Sequence, residues 1–202
     1  MPLIPSGSPV SRDALRQRLR AARRELSPAT RAAAAQAAAR IVSGLPQFRA
    51  AQRVAAYIAM DAELDPAPLI ALAWSAGKQV YLPALLPDDH GPLVFQPYTA
   101  AALLKPNRLG IPEPDLPLAN ATLPMDMDLV LAPLVGFDRA GRRLGMGGGF
   151  YDRSFAFLKD GARKRPVLIG LAYECQRVEA LDEASWDVPL AAVATEQQFY
   201  PV

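Results

Sequence analysis

Apolar positions fall into two rhythms along this chain. Between residues 11 and 26, Leu15, Leu19, Ala22 and Leu26 recur at steps of four, three and four, the period of an amphipathic helix. Ser11 stands where an N-cap belongs, which predicts a helix to about Glu25. Ser27-Pro28 repeats the start signal, a capping side chain followed by proline at the first helical position. That second helix runs through the alanine-rich stretch and is expected to stop near Gly44, with Pro46 beyond. The other rhythm is the short unbroken apolar run. Residues 53–59 (RVAAYIA), 128–132 (DLVLA) and 167–172 (VLIGLA) read as buried strands. Residues 79–82 form the next candidate, 191–195 a last one, and 93–98 another against which Pro92 and Pro97 count. Asp65-Pro66 opens a helix ending at Gly77, and a further helix is predicted over residues 150–159. Residues 104–124, rich in proline, are expected to be an extended, irregular connection.

Strands that alternate with helices, apolar on both faces, predict an α/β fold. The expected architecture is a mostly parallel sheet flanked by helices on both faces, a Rossmann-like three-layer single domain over residues 11–202. No repeat or linker divides it. Residues 1–10 hold three prolines, a glycine and two serines and are expected to form a flexible tail.

Composition narrows the function. With 51% hydrophobic and 21% charged residues the chain is globular, and a net charge of +2 supplies no field to draw it to nucleic acid or a membrane. One cysteine, Cys175, excludes an internal disulfide framework and fits a reducing compartment. The first residues lack the basic and apolar regions of a signal peptide, and no apolar run is long enough to span a bilayer. The expectation is a cytoplasmic protein with neither a nucleic-acid nor a membrane partner.

The chemistry concentrates in residues 133–153, PLVGFDRAGRRLGMGGGFYDR, which follow a buried strand and lead into a helix. In open α/β sheets ligands bind at the carboxyl ends of strands, where such a loop lies. Gly145, Gly147, Gly148 and Gly149 remove side chains, so backbone N–H groups can face an anion. The following helix N-terminus adds partial positive charge, and Arg142 and Arg143 can add full charges. A phosphate site is one reading; on glycine content alone, a ligand-free flexible loop is an equal one. Neither G-x-x-x-x-G-K-[ST] nor G-x-G-x-x-G is present. On the first helix, Arg12, Arg16 and Arg23 share a narrow face beside the leucine stripe, at about 100° per residue. They therefore border the core, whereas Arg18 and Arg24 point to solvent. Without further information Arg12 and Arg16 are an ordinary basic helix face.

The string Arg143-Leu-Gly-Met-Gly-Gly-Gly-Phe-Tyr-Asp152, with Gly136-Phe137-Asp138 ahead of it, closely resembles the R-L-G-x-G-x-G-[FY]-Y-D signature of the 5-formyltetrahydrofolate cyclo-ligase family. The family's N-terminal K-x-x-x-R, later arginine and Leu-Ser are similar to Arg12, Arg16, Arg23 and Leu26-Ser27. Arg12 departs from the usual lysine, keeping the charge with a different contact geometry. Gly110-Ile-Pro-Glu-Pro114 and the closing Asp187 with Thr195-Glu196 also resemble family segments. The likeness runs from about Arg12 to Glu196.

That resemblance implies ATP- and Mg²⁺-dependent cyclisation of 5-formyltetrahydrofolate to 5,10-methenyltetrahydrofolate, by a monomer, with release of ADP and phosphate. It implies an ATP site of Arg12, Asp13, Ala14, Leu15 and Arg16 with Arg143, Leu144, Gly145, Met146, Gly147, Gly148, Gly149, Phe150 and Tyr151. It implies folate contacts at Ile58, Glu63 and residues 146–150, with Arg143 and Tyr151 catalytic. Asp152 and Asp187 would hold the metal, with Asp182 competing for the second place. A loop glutamate such as Glu63 is ordinarily just solvated; its role rests on the resemblance, although a carboxylate suits the N–H donors of a pterin. His90 reads as part of a solvated turn and Cys175 as an inert thiol.

Overall fold

The computed structural model describes residues 11–88, 91–159, 161 and 165–202; the expected tail over 1–10 and His90 lie outside the described residues. Helix α1 (Arg12–Arg24) starts where the Ser11 hydroxyl accepts from the Ala14 amide at 3.2 Å, and α2 (Pro28–Ser43) where Ser27 does the same for Thr30 at 3.1 Å. Next come α3 (Pro46–Ala50), β1 (Arg53–Ala55), α4 (Ala67–Ser75), β2 (Gln79–Leu85) and β3 (Leu93–Pro97). A ribbon of β4 (Leu104–Pro106) and β5 (Pro112–Pro114) lies within the connection expected to be irregular. Then follow β6 (Leu129–Pro133), a hairpin of β7 (Gly136–Phe137) and β8 (Arg143–Leu144), α5 (Phe150–Phe155), β9 (Val167–Leu171), β10 (Ala192–Ala194) and β11 (Phe199–Pro201).

Seven strands form one sheet in the order β11-β10-β9-β6-β1-β2-β3. The inner pairs are parallel; β3 and β11 close the edges antiparallel. Side-chain alternation splits each central strand between two cores. In β6, Leu129 and Leu131 face α2 and α4, while Val130 and Ala132 face Phe155 of α5. Val54 and Ala55, Val80 and Tyr81, and Ala192 and Val193 divide the same way. The predicted three layers follow from handedness. The chain steps from β1 to β2 in one direction and from β6 to β9 in the other, so right-handed crossovers put α4 and α5 on opposite faces. The reversal lies between β1 and β6, where carboxyl-end loops diverge and a crevice opens.

Several boundaries differ from expectation. Strand β1 ends at Ala55, not 59, because the chain turns away into a loop closed by the Glu63 amide on the Met60 carbonyl at 2.9 Å. Strand β2 runs on to Leu85 because β3 pairs along it as far as Leu85 with Leu93. Helix α5 stops at Phe155 and tightens into a 3₁₀ turn, Ala156–Leu158. Strand β11 had no forecast; its residues carry too little alternation to announce an edge strand.

The sheet leaves no room at Gly170 in β9. A Cβ there would sit 2.7 Å from both Leu134 Cδ2 and Leu190 Cδ1. Gly170→Ala is therefore expected to destabilise the protein by about 1–3 kcal/mol through overpacking, read as a lowered thermal unfolding midpoint. An unchanged midpoint would show that the two leucines can retreat.

Candidate active site

Helix α1 lies across the carboxyl edge of the sheet. Its Leu19 is fully buried against Val135, Leu144, Val178 and Leu181, with Leu15 beside it. That apolar seam turns the neighbouring arginines toward the crevice. Arg16 Nε donates to the Gly145 carbonyl at 2.9 Å, and Arg16 Nη1 pairs with Asp13 Oδ1 at 2.5 Å. Gly147 has φ of +105°, and a Cβ on it would approach the Arg16 guanidinium at 3.8 Å. Only glycine adopts that backbone without strain, and its absent side chain leaves Arg16 uncovered. Met146, Gly147 and Gly148 are exposed at the tip; Ala14 and Asp13 are exposed on the first turn of α1.

Arg143 of β8 is buried behind the glycine turn. Its Nη2 donates to Asp152 Oδ1 at 2.5 Å and its Nη1 to the Val188 carbonyl at 2.7 Å; the Val188 amide returns a bond to Asp152 Oδ1 at 3.1 Å. Arg12 Nη2 reaches Asp187 Oδ2 at 3.1 Å, and the Ala184 amide reaches the same oxygen at 2.9 Å. The first helix, the glycine turn, the start of α5 and segment 184–188 thus meet at one place. Phe150 rests under Gly148, where a Cβ would fall 2.9 Å from its ring, and the Arg153 guanidinium lies 4.9 Å from the ring centroid.

On the β1 side, Arg23 is wholly buried. It donates through Nε to the Asp61 carbonyl at 2.9 Å and through Nη2 to Asp61 Oδ2 at 3.0 Å. Its Nη1 lies 3.4 Å from the Leu134 carbonyl and 3.9 Å from Glu63 Oε1. Glu63 lines a cleft of about 600 Å³ with Arg31, Gln36 and Tyr173, whereas Ile58 lines a neighbouring one of about 310 Å³ with Tyr57, Trp74 and Tyr98. The glycine turn lines neither of these two clefts. Two arginines have partners of their own. Arg142 serves the hairpin, pairing with Asp138 at 3.0 Å and donating to the Leu181 carbonyl at 2.9 Å. Arg24 pairs with Asp61 instead of pointing into solvent alone. Helix α5, with six residues, also supplies little macrodipole, which leaves anion binding to the arginines and glycine amides.

The profile of the 5-formyltetrahydrofolate cyclo-ligase family matches residues 9–196. The chain belongs to this family. It is 41% identical to the 5-formyltetrahydrofolate cyclo-ligase of Escherichia coli (strain K12) over 182 residues, 90% of this chain and 98% of that one. With the Haemophilus influenzae cyclo-ligase it shares 38% identity over 179 residues, 89% and 94% of the two chains. The solved Aquifex aeolicus 5,10-methenyltetrahydrofolate synthetase superposes with a TM-score of 0.78 at 28% identity, covering 94% of this chain and 92% of that one.

In this member of the cyclo-ligase family, the buried Tyr151 hydroxyl has no hydrogen-bond partner among the described residues. Burial, helped by the charge of Glu63, raises its pKa and keeps it protonated, although Arg143, 6.0 Å from its ring centroid, pulls the other way. It can therefore donate to a ligand. The carboxylates also suit a hard cation. Asp152 Oδ2 and Asp187 Oδ1 take no part in the bonds above, and among the described residues no cluster of three or more His, Cys, Asp or Glu would hold a metal without outside ligands. A pair of single carboxylate oxygens is what Mg²⁺ takes from a protein when phosphates and water complete its shell. Asp182 is exposed. Burial pushes the Cys175 thiol up to about 11, so it carries no thiolate near neutrality.

Residues missed by sequence reasoning are Asp61, Arg20 and Arg24, which join Arg23 around the loop after β1. A signal was present: Arg20, Arg23 and Arg24 have the three- and four-residue spacing of one helix face.

Burial raises the Glu63 pKa above its ordinary 4.5, and the Met60 amide and Arg23 lower it only in part. A raised carboxyl binds its proton more tightly folded than unfolded. Its stabilising contribution is thus full below 4.5 and lost as pH rises through the folded value. Glu63→Gln should gain stability relative to wild type between about pH 4 and 7, checked by urea midpoints across that range; a pH-independent difference would contradict the assignment.

Proposed function

We propose that this chain catalyses the ATP-dependent cyclisation of 5-formyltetrahydrofolate to 5,10-methenyltetrahydrofolate, with ADP and phosphate as the other products. The observation that carries the reading is the glycine turn held between Arg16 on one side and the Arg143–Asp152 pair on the other, in a chain of this family. The same reading makes it a monomeric, single-domain enzyme of the cytoplasm; no described helix is long and apolar enough to cross a membrane.

The chemistry explains the demand for such a site. A formamide carbon is a weak electrophile and its oxygen a poor leaving group. Attack of the formyl oxygen on the γ-phosphorus breaks the bond to ADP and leaves an imidate-like phosphate. The N10 lone pair then attacks the formyl carbon, N10 loses its proton, and the C–O bond breaks to release phosphate. Phosphoryl transfer asks the protein mainly for positioning and charge neutralisation. In this reading Arg12, Arg16 and Arg143 hold the nucleotide phosphates, the first turn of α1 with Asp13, Ala14 and Leu15 borders the nucleotide, and the amides of residues 144–149 surround the transferring group. Tyr151 donates its hydroxyl to that group. Glu63 accepts from the pterin N–H donors, while Ile58 and Phe150 contact the folate rings. Asp152 and Asp187 would hold Mg²⁺, which supplies charge neutralisation for the phosphates.

Ultraviolet absorbance of methenyltetrahydrofolate tests the reading directly. Product should form with ATP and Mg²⁺ and fail to form when either is omitted; formation without ATP would refute it. Tyr151→Phe should lower kcat by roughly tenfold or more, the cost of losing one preorganised donor. Asp152→Asn should raise the Mg²⁺ concentration needed for half-maximal rate, and an unaltered Mg²⁺ dependence would remove Asp152 from the metal site.

A further inference from the structure

The loop between β1 and α4 is held in a conformation that its own residues disfavour. Asp61 and Ala62 are successive non-glycine residues with φ of 49° and 59°. Side chains resist this left-handed region, and alanine has no polar group to compensate. Three guanidinium groups oppose the resistance. Arg20 Nε lies 2.7 Å and Arg23 Nη2 3.0 Å from Asp61 Oδ2, and Arg24 pairs with Oδ1. Arg23 also grips the Asp61 carbonyl at 2.9 Å. One carboxylate would suffice as the counter-charge of buried Arg23; two more arginines from the same helix face hold it in place.

The next residue but one is Glu63. The turn folds it back so that Oε2 accepts from the Met60 amide at 3.0 Å. Oε1 lies 3.9 Å from Arg23 Nη1, beyond hydrogen-bonding distance. Arg23 is wholly out of water and must have an anionic partner. With Asp61 neutralised, Glu63 is the next carboxylate within its reach, and pairing there would take up Oε1, the oxygen that the Met60 amide does not use.

We infer that Asp61 is a positioning residue for folate binding: it pins the left-handed turn that presents Glu63 and keeps Arg23 off that carboxylate. The inference rests on the proposed function, with Glu63 as the pterin acceptor. Asp61→Asn is expected to raise the KM for 5-formyltetrahydrofolate by about tenfold, in line with a displaced binding group, while the Kd for ATP in the absence of folate stays within about twofold of wild type. Because Asp61 acts through Glu63, the Asp61→Asn/Glu63→Gln double variant should have a folate KM within about twofold of Glu63→Gln alone. Penalties that multiply in the double variant, or an unchanged folate KM in Asp61→Asn, overturn the inference. If Asp61→Asn does not fold, Arg20→Gln/Arg24→Gln leaves the Arg23–Asp61 pair intact and decides instead. A folate KM about threefold above wild type with ATP affinity retained supports the clamp, and a wild-type KM overturns it. A wild-type protein that forms no methenyltetrahydrofolate defeats the functional reading and this inference with it; an active wild type with an indifferent Asp61 defeats the inference alone.

Discussion

A guanidinium taken wholly out of water must be answered by charge and hydrogen bonds, and the Arg23 side chain is so placed. Its partners come from both sides of the topological reversal: Asp61 from the loop after β1 and the Leu134 carbonyl from the loop after β6. Arg23 therefore acts as a staple across the crevice that the strand order opens. Leu19, one turn earlier on α1, is buried in the same seam, so the helix can neither slide nor rotate without exposing leucine or orphaning arginine. The positions of Arg12 and Arg16, about two turns and one turn before Leu19, follow from that constraint.

The crevice so registered has two chemically different walls. One is cationic: Arg16, the glycine amides and Arg143 backed by Asp152. The other carries Glu63, a carboxylate pushed toward its neutral form by burial. Tyr151 lies where it feels both, raised by burial and by Glu63 and lowered by Arg143. In the proposed reaction a nucleotide phosphate would meet the first wall and a ring with N–H donors the second, and the group that passes between them needs both present at once. The proposed reaction asks neither wall for a nucleophile, and burial keeps the Cys175 thiol protonated near neutrality.

Much of this was legible in the residue order. The helix starts at Ser11 and Ser27 read directly, because capping is a local bond between a side chain and an amide three residues on. The strands β6 and β9 were plain because burial on both faces demands an unbroken apolar run. The glycine turn was visible as a candidate phosphate cradle, although its glycines alone did not separate a cradle from a slack loop. Strand β11 and the β4–β5 ribbon escaped notice, since strands of three residues are too short to show an alternation of apolar and polar positions.

The order of residues by itself determined the element types, the apolar face of α1 and the stretch in which the arginines, glycines and Asp152 stand close together. Each of these depends on neighbours within one or two turns of chain. Tertiary structure decided which charges meet. Arg142 went to the hairpin, Arg24 to Asp61 and Arg12 to Asp187, partners that the residue order did not name. The physical reason is that a charge chooses its partner by distance and burial in three dimensions, and both are set by the sheet order and the packing of α1 across its edge.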